Sequence, residues 1–330
     1  MAFQRTLAAH VETWRPYTML YIGLVGLAGA LLTDGSAGPA ALTLAWLVPT
    51  LGWIGGHYGG DYFDRELDAG AKPHRPIPSG RLRAGTALAM MIVLVAAGGL
   101  LAVWANPWTP LLVAAALAAG IGYSAVLKAR GIGGNLVRGS LTAFVVAFGA
   151  MMAATWPPLR VLPVALVFLL HDTQSNLVGT LRDVAGDRAA GYETFPVRHG
   201  ARPALRVVAG MTLAWAAVAA AVPAFTPASA AGRAACYALL AVSAALAAAA
   251  IALLVRSPEP MPPAVALRAH ALLVVERTVL ACAFVGLAAG PAAALLAAAP
   301  AVLVTALLQA RMRAHHEFGR PAPIMEDNRT

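Results

Sequence analysis

The sequence predicts an all-α bundle of nine to ten membrane-crossing helices, and three observations carry that prediction. Of 330 residues, 59% are hydrophobic and only 12% charged, with a mean hydropathy of +0.70; a soluble domain carries about 25% charged residues. The apolar residues collect in runs long enough to span a bilayer. Lys and Arg gather in alternate loops between those runs, as they do in chains that cross a membrane repeatedly. Abundant Ala and Gly suit close approach of helices in lipid.

Taken in order, residues 1–16 read as an amphipathic lead-in with Arg5, Glu12 and Arg15, and no cleavable signal is evident. The first span covers about 17–33 and the second starts near 40. The second runs into an acidic stretch, Asp61, Asp64, Glu66 and Asp68, before Pro73, Pro76 and Pro78 stop it. The loop at 69–82 is stiff and carries Lys72, His74, Arg75 and Arg81. Spans three and four cover about 84–104 and 108–126, with Asn106 and Pro107 turning between them. A Gly-rich loop with Lys128, Arg130 and Arg138 precedes a fifth span at 139–156. The sixth begins near 160 and ends in a polar stretch from His171 to Asp187, too polar to face lipid. Spans seven and eight cover 205–225 and 234–255.

Residues 264–289 are interrupted by Arg268, His270, Glu276 and Arg277, so they read either as a ninth span or as an interfacial helix leading into a shorter one. A last apolar run covers 291–310. Residues 1–313 are expected to form one transmembrane domain, and 314–330 a disordered tail. The distribution of Lys and Arg places the N-terminus and both acidic windows in the cytoplasm. Together with an Ala-, Gly- and Pro-rich composition, this points to the inner membrane of a bacterium, with the site facing the cytoplasm.

The net charge of +9 and pI of about 10.2 do not indicate nucleic acid. The basic residues sit at the ends of apolar segments, where they match topology and anionic lipid headgroups, and no basic groove interleaved with aromatics is present. Cys236 and Cys282 lie in or near apolar segments and read as small core residues.

Chemistry is concentrated in the acids. Eight of the fifteen fall in two windows: Asp61, Asp64, Glu66 and Asp68, then Asp172, Asp183, Asp187 and Glu193. Asp61, Asp64 and Asp68 share one helical face, where like charges repel unless a cation sits on them. Two such clusters imply a metal site and a polyanionic ligand.

Asp61-Tyr-Phe-Asp64-Arg-Glu-Leu-Asp68, followed by Lys72-Pro-His-Arg75-Pro, closely resembles the first aspartate-rich signature of the UbiA superfamily of intramembrane prenyltransferases. Arg182-Asp183-Val-Ala-Gly-Asp187 resembles the second, and Tyr123, Lys128 and Asn135 form a weaker third match. The resemblance covers roughly residues 15–290. It implies a UbiA-like helix bundle that moves an isoprenyl group from a prenyl diphosphate to an aromatic or other lipophilic acceptor.

The resemblance also implies two Mg2+ ions, one on Asp61, Asp64 and Asp68 and one on Asp183 and Asp187. Lys72, Arg75, Lys128, Arg182 and Arg188 would neutralise the diphosphate. Tyr62 and Tyr123 are expected to line the path of the allylic cation. Asn135 would contact the diphosphate or cap a helix, and His171 and Asp172 would meet the acceptor head. The chain departs from the family pattern at Gly60, where an Asn is usual, and His57 is placed one turn earlier to replace that amide. Lys is also absent upstream of the second signature, where Ser175 and Gly179 stand.

The acceptor stays open, phosphoglycerol-type alcohols included. A terpene cyclase of the same architecture would release diphosphate with no acceptor at all. A carrier for anions or divalent cations would place acids at the bilayer midplane and show an inverted repeat.

Overall fold

The structure is a computed structural model and describes residues 2–319. A short helix α1 (Ala2–Trp14) leads through a turn at Arg15 into α2 (Met19–Thr33). Next come α3 (Pro39–Phe63), α4 (Arg65–Ala71), α5 (Ala84–Ala105), α6 (Thr109–Ala125), α7 (Gly131–Ala153) and α8 (Leu162–Ala189). The small α9 (Phe195–His199) precedes α10 (Ala201–Phe225), α11 (Ala230–Val255), α12 (Pro263–Ala289) and α13 (Pro291–Phe318). Among the described residues nine stretches are long and apolar enough to cross a membrane, and α6 is a shorter apolar tenth. The chain is an integral membrane protein.

α2, α7, α8 and α12 form the interior, with α12 packed against α2, α8, α11 and α13. Burial does not follow hydropathy. α12 carries four ionisable residues yet buries most of its surface, including Glu276 and Arg277, while the strongly apolar α5 buries only Ala87, Gly98 and Ala102. Lipid and protein interior are equally apolar solvents, so an apolar side chain gains little by choosing between them. Helix approach is set by small residues. Gly149 of α7 lies against the Gly26 backbone of α2, and Gly29 against the Val146 carbonyl. A Cβ at position 149 would overlap the Gly26 carbonyl oxygen. We expect Gly149→Val to push α2 and α7 apart and lower the thermal midpoint in detergent by several degrees, which differential scanning fluorimetry would read.

Two sequence expectations are corrected here and one open alternative is resolved. α7 begins at Gly131 and not at 139, so Asn135 and Arg138 are helical instead of belonging to a loop. The reading of residues 264–289 as a ninth span holds and the interfacial alternative does not: they form one continuous buried helix, because the charges of Glu276 and Arg277 find partners inside the bundle. The tail expected from 314 onward begins as helix: α13 runs to Phe318 and stops at Gly319, whose φ of +76° favours glycine. Residues 320–330 lie outside the described residues.

α3, α5, α6 and α7 enclose an apolar cavity of about 450 Å³. Phe148, Leu112, Val95 and Ile121 line its body; Arg15, Asp64, Tyr123 and Lys128 form its polar end.

Candidate active site

α3 relaxes at Asp64, to φ −87° and ψ −2°, before α4 resumes at Arg65. On either side of this break Asp61 and Asp68 are turned inward, each 4% exposed, with Asp64 on the cavity wall. Glu66 points away, its side chain 85% exposed beside Arg65.

Each inward carboxylate meets a cation brought from elsewhere in the chain. Arg15 donates to Asp61 Oδ1 at 2.5 Å. Lys128 contacts Asp64. Arg75 Nη1 donates to both oxygens of Asp68, at 3.1 and 2.8 Å. Lys72 Nζ donates to Asp183 Oδ1 at 3.3 Å, and Arg182 grips Asp183 at 3.0 and 2.5 Å. Burial works against the charge on Arg75, but Glu317 and Asp68 outweigh it and hold its pKa above the usual value. Burial pulls Lys128 down to about 8, with Asp187 acting against it.

The second acidic bank comes from the last turns of α8. Thr194 donates to Asp187 Oδ2 at 3.2 Å, and Tyr192 N caps the Asp187 carbonyl at 2.8 Å. Backbone bridges pair Arg130 with Glu193 and Gly131 with Thr194, so the loop after α8 is fastened to the loop that carries Lys128. Asp187 thereby comes within electrostatic reach of Asp183, Lys72 and Lys128. Tyr192 joins the two banks: burial raises its phenol, and the Asp187 and Asp68 carboxylates add to that rise. Its ring also faces Lys128 Nζ at 5.7 Å.

Asp61, Asp64, Asp68, Asp183, Asp187, Lys72, Arg75, Lys128 and Arg182 thus gather at one end of the bundle. Tyr123 lines the cavity there and accepts from Asn176 at 3.3 Å. Asn135 is buried against Asn176, their amides 2.7 Å apart, and so acts through a second amide.

Other expected residues lie elsewhere. His57 lines the cavity, and its Nδ1 meets the Trp14 carbonyl at 2.8 Å, which leaves one ring nitrogen for any other contact. Tyr62 stacks beneath Arg65 at 4.6 Å, outside the cavity lining. Arg188 is exposed on the last turn of α8, past the residues that turn inward.

His171 and Asp172 are enclosed in the bundle and do not line the cavity. His171 contacts Glu276, which also holds Ser243; Asp172 accepts from Tyr21 at 3.1 Å and from Thr142, with Arg277 3.8 Å away. Neither the His171 nor the Asp172 side chain opens onto the cavity. His171, Asp172, Glu276 and their hydroxyl partners engage one another, as buried polar groups tend to.

Two residues of the cluster escaped sequence reasoning. Glu317 accepts from Lys72 at 3.0 Å, from Arg75 at 3.3 Å and from Arg182 at 2.8 Å, its side chain 9% exposed. The available signal was the helix stop: after Pro300 the chain holds no breaker until Gly319. Arg15 has a φ of +47°, a left-handed conformation that is uncommon for a residue with a Cβ. That turn sends its side chain to Asp61 and to His316 Nε2, 3.0 Å away.

The donor chemistry fits a hard divalent cation: carboxylates only, in two banks, with Asp61 Oδ2 buried and without a partner. Among the described residues no three such side chains already converge on one point; Asp61, Asp64, Asp68 and Asp183 are each drawn toward a Lys or Arg, and Asp187 toward Thr194.

Two carboxylate banks interleaved with cations, at the mouth of an apolar cavity inside a helix bundle, define an intramembrane enzyme that handles an anion with a long apolar tail. The UbiA prenyltransferase family matches residues 19–273, and the chain belongs to that family and is a prenyltransferase.

The chain is 34% identical over 218 residues to the digeranylgeranylglyceryl phosphate synthase of Ignicoccus hospitalis, covering 64% of this chain and 71% of that one. Its fold is similar to a solved structure of a digeranylgeranylglyceryl phosphate synthase, with a TM-score of 0.65 and 22% identity over 86% of this chain and 99% of the other. It is also similar to a UbiA homologue from Archaeoglobus fulgidus bound to GPP and Mg2+, with a TM-score of 0.61 and 15% identity over 82% and 99%. Eight of the most similar curated relatives are all archaeal, which overturns the bacterial inner membrane expected from composition. An Ala-, Gly- and Pro-rich sequence reports codon bias and membrane packing, and neither identifies a lineage.

Proposed function

We propose that this protein transfers a prenyl group from a prenyl diphosphate to the free hydroxyl of a prenylated glyceryl phosphate, forming an ether lipid and releasing diphosphate. The observation that carries this reading is the junction at Asp64 and Lys128, where the ionic cluster opens into the apolar cavity. The archaeal relatives named for the diether product support the choice of acceptor.

Asp61, Asp64 and Asp68 would hold one Mg2+, and Asp183 and Asp187 a second. When bound, Mg2+ supplies Lewis-acid stabilisation of the negative charge that builds on the leaving diphosphate. The residues of the chain do the rest. Lys72, Arg75, Lys128 and Arg182 exchange their carboxylate partners for phosphate oxygens and so fix the diphosphate at the mouth. The loop from Lys72 to Arg83 is held by Arg81, which donates to Glu12 and to the His74 carbonyl, both at 2.6 Å. A loop pinned in this way covers the leaving group and excludes water. Phe148, Leu112 and their neighbours take the isoprenoid tail. The allylic C–O bond breaks with its electron pair on the diphosphate. The acceptor oxygen forms the new C–O bond and its proton passes to the departing diphosphate.

The test is product analysis of the purified full-length protein with prenyl diphosphates of graded length. Each would be supplied with and without a monoprenylglyceryl phosphate or an aromatic acceptor. We expect ether formation that needs both Mg2+ and the glyceryl phosphate and stops when EDTA is added. Transfer to the aromatic acceptor alone would overturn the acceptor assignment. Diphosphate release without any acceptor, accompanied by a cyclic hydrocarbon, would make the protein a cyclase.

A further inference from the structure

We propose that Arg138 binds the anionic head of the acceptor and so selects an alcohol that carries a phosphate; the inference rests on the ether-lipid reading above. Arg138 lines the apolar cavity from α7, one turn beyond Asn135. Its guanidinium lies 4.4 Å from the ring centre of Trp53. Trp53 is itself fixed: its Nε1 donates to Thr18 Oγ1 at 2.9 Å, and its ring meets His57 edge-on at 5.5 Å. The guanidinium is therefore oriented by stacking. Its Nη1 is buried and has no hydrogen-bond partner, and among the described residues no carboxylate lies within ion-pair distance of it.

The neighbouring cations each have a carboxylate within ion-pair distance, although Arg277 Nε is also buried without a hydrogen-bond partner. Arg15 is paired with Asp61, Lys128 with Asp64, and Arg277 lies beside Asp172. Asp172 feels the charge of Arg138 at longer range, but Tyr21, Thr142 and Arg277 already engage it. A guanidinium left unpaired in an apolar wall is unfavourable unless the ligand brings the counter-charge. A planar fork of donors suits a phosphate, which accepts two parallel hydrogen bonds. The prenyl diphosphate has its own cations in Lys72, Arg75, Lys128 and Arg182. The anion left for Arg138 is that of the second substrate. With its phosphate on Arg138, the acceptor is anchored inside the cavity that opens at Asp64 and Lys128.

Steady-state kinetics on full-length Arg138→Gln would test this, varying each substrate at saturation of the other. The acceptors are a monoprenylglyceryl phosphate and the same monoether lacking the phosphate. We expect KM for the phosphorylated acceptor to rise about tenfold or more, while KM for the prenyl diphosphate stays within about twofold. The preference for the phosphorylated over the neutral acceptor should fall in the same ratio, and Arg138→Lys should restore part of it. A thermal midpoint close to wild type confirms that the variants fold; if Arg138→Gln does not, the comparison passes to Arg138→Lys, whose acceptor KM should lie above that of wild type. A rise in KM for the prenyl diphosphate instead would assign Arg138 to the donor and overturn the inference. Unchanged KM values in both variants, with wild type active on the phosphorylated acceptor, would overturn it alone. Failure of the wild type on both acceptors would overturn the ether-lipid reading and the inference with it.

Discussion

Asp64→Asn lowers kcat by on the order of a hundredfold or more while the protein stays folded. Asp64 is the carboxylate that lines the cavity, at the point where the ionic cluster meets the apolar chamber. The amide keeps the shape of the side chain and removes its charge, so the pairing with Lys128 is lost, and with it the hold on a divalent cation that the proposed mechanism gives Asp64. The substitution should also shift the Mg2+ concentration needed for half-maximal rate upward. Asp183→Asn on the opposite bank should behave alike, since its carboxylate orders both Lys72 and Arg182. The control is Glu66→Gln, two residues from Asp64, whose exposed side chain pairs only with Arg65. It should retain near-wild-type turnover. Equal losses at positions 64 and 66 would show that charge in this segment matters only for folding, and the carboxylate assignment would fail.

Glu317→Gln destabilises the ligand-free protein and enlarges the stabilisation that a diphosphate confers. Glu317 stands among Lys72, Arg75 and Arg182, three cations that would meet the leaving group. Removing one member of a buried ionic set costs about 3–5 kcal/mol. The three cations keep Asp68 and Asp183, which places the expected loss near the lower end, about 3 kcal/mol. A bound diphosphate supplies the missing negative charge. The rise in thermal midpoint on adding a prenyl diphosphate with Mg2+ should therefore be larger in the variant than in wild type. A lower midpoint with the same ligand-induced rise would mean that Glu317 only fastens α13 and does not share its cations with the substrate.

Much of this site was legible in the chain. Asp61, Asp64 and Asp68 recur at helical spacing inside an otherwise apolar sequence, and so few acids so closely grouped require a counter-charge. The cations Lys72 and Arg75 follow within one stiff loop, so their proximity to Asp68 is nearly local. Glu317 was not legible, because its partners are 135 to 245 residues away in the chain and no local pattern records such a meeting. His171 and Asp172 were misplaced for the same reason. Their polarity was visible, but the partners that close them off, Glu276 and Tyr21, come from other helices.

Composition and patterning by themselves determined that this chain lives in a membrane, roughly where it crosses, and which residue types its chemistry uses. Those properties follow from the cost of exposing charge to lipid, which each segment meets independently. Tertiary structure alone decided which helices are interior, which cation meets which carboxylate, and that Arg138 stands unpaired on the cavity wall. An apolar helix is equally soluble in lipid and in protein, so its neighbours are chosen by small residues and long-range polar pairs that only the assembled bundle brings together.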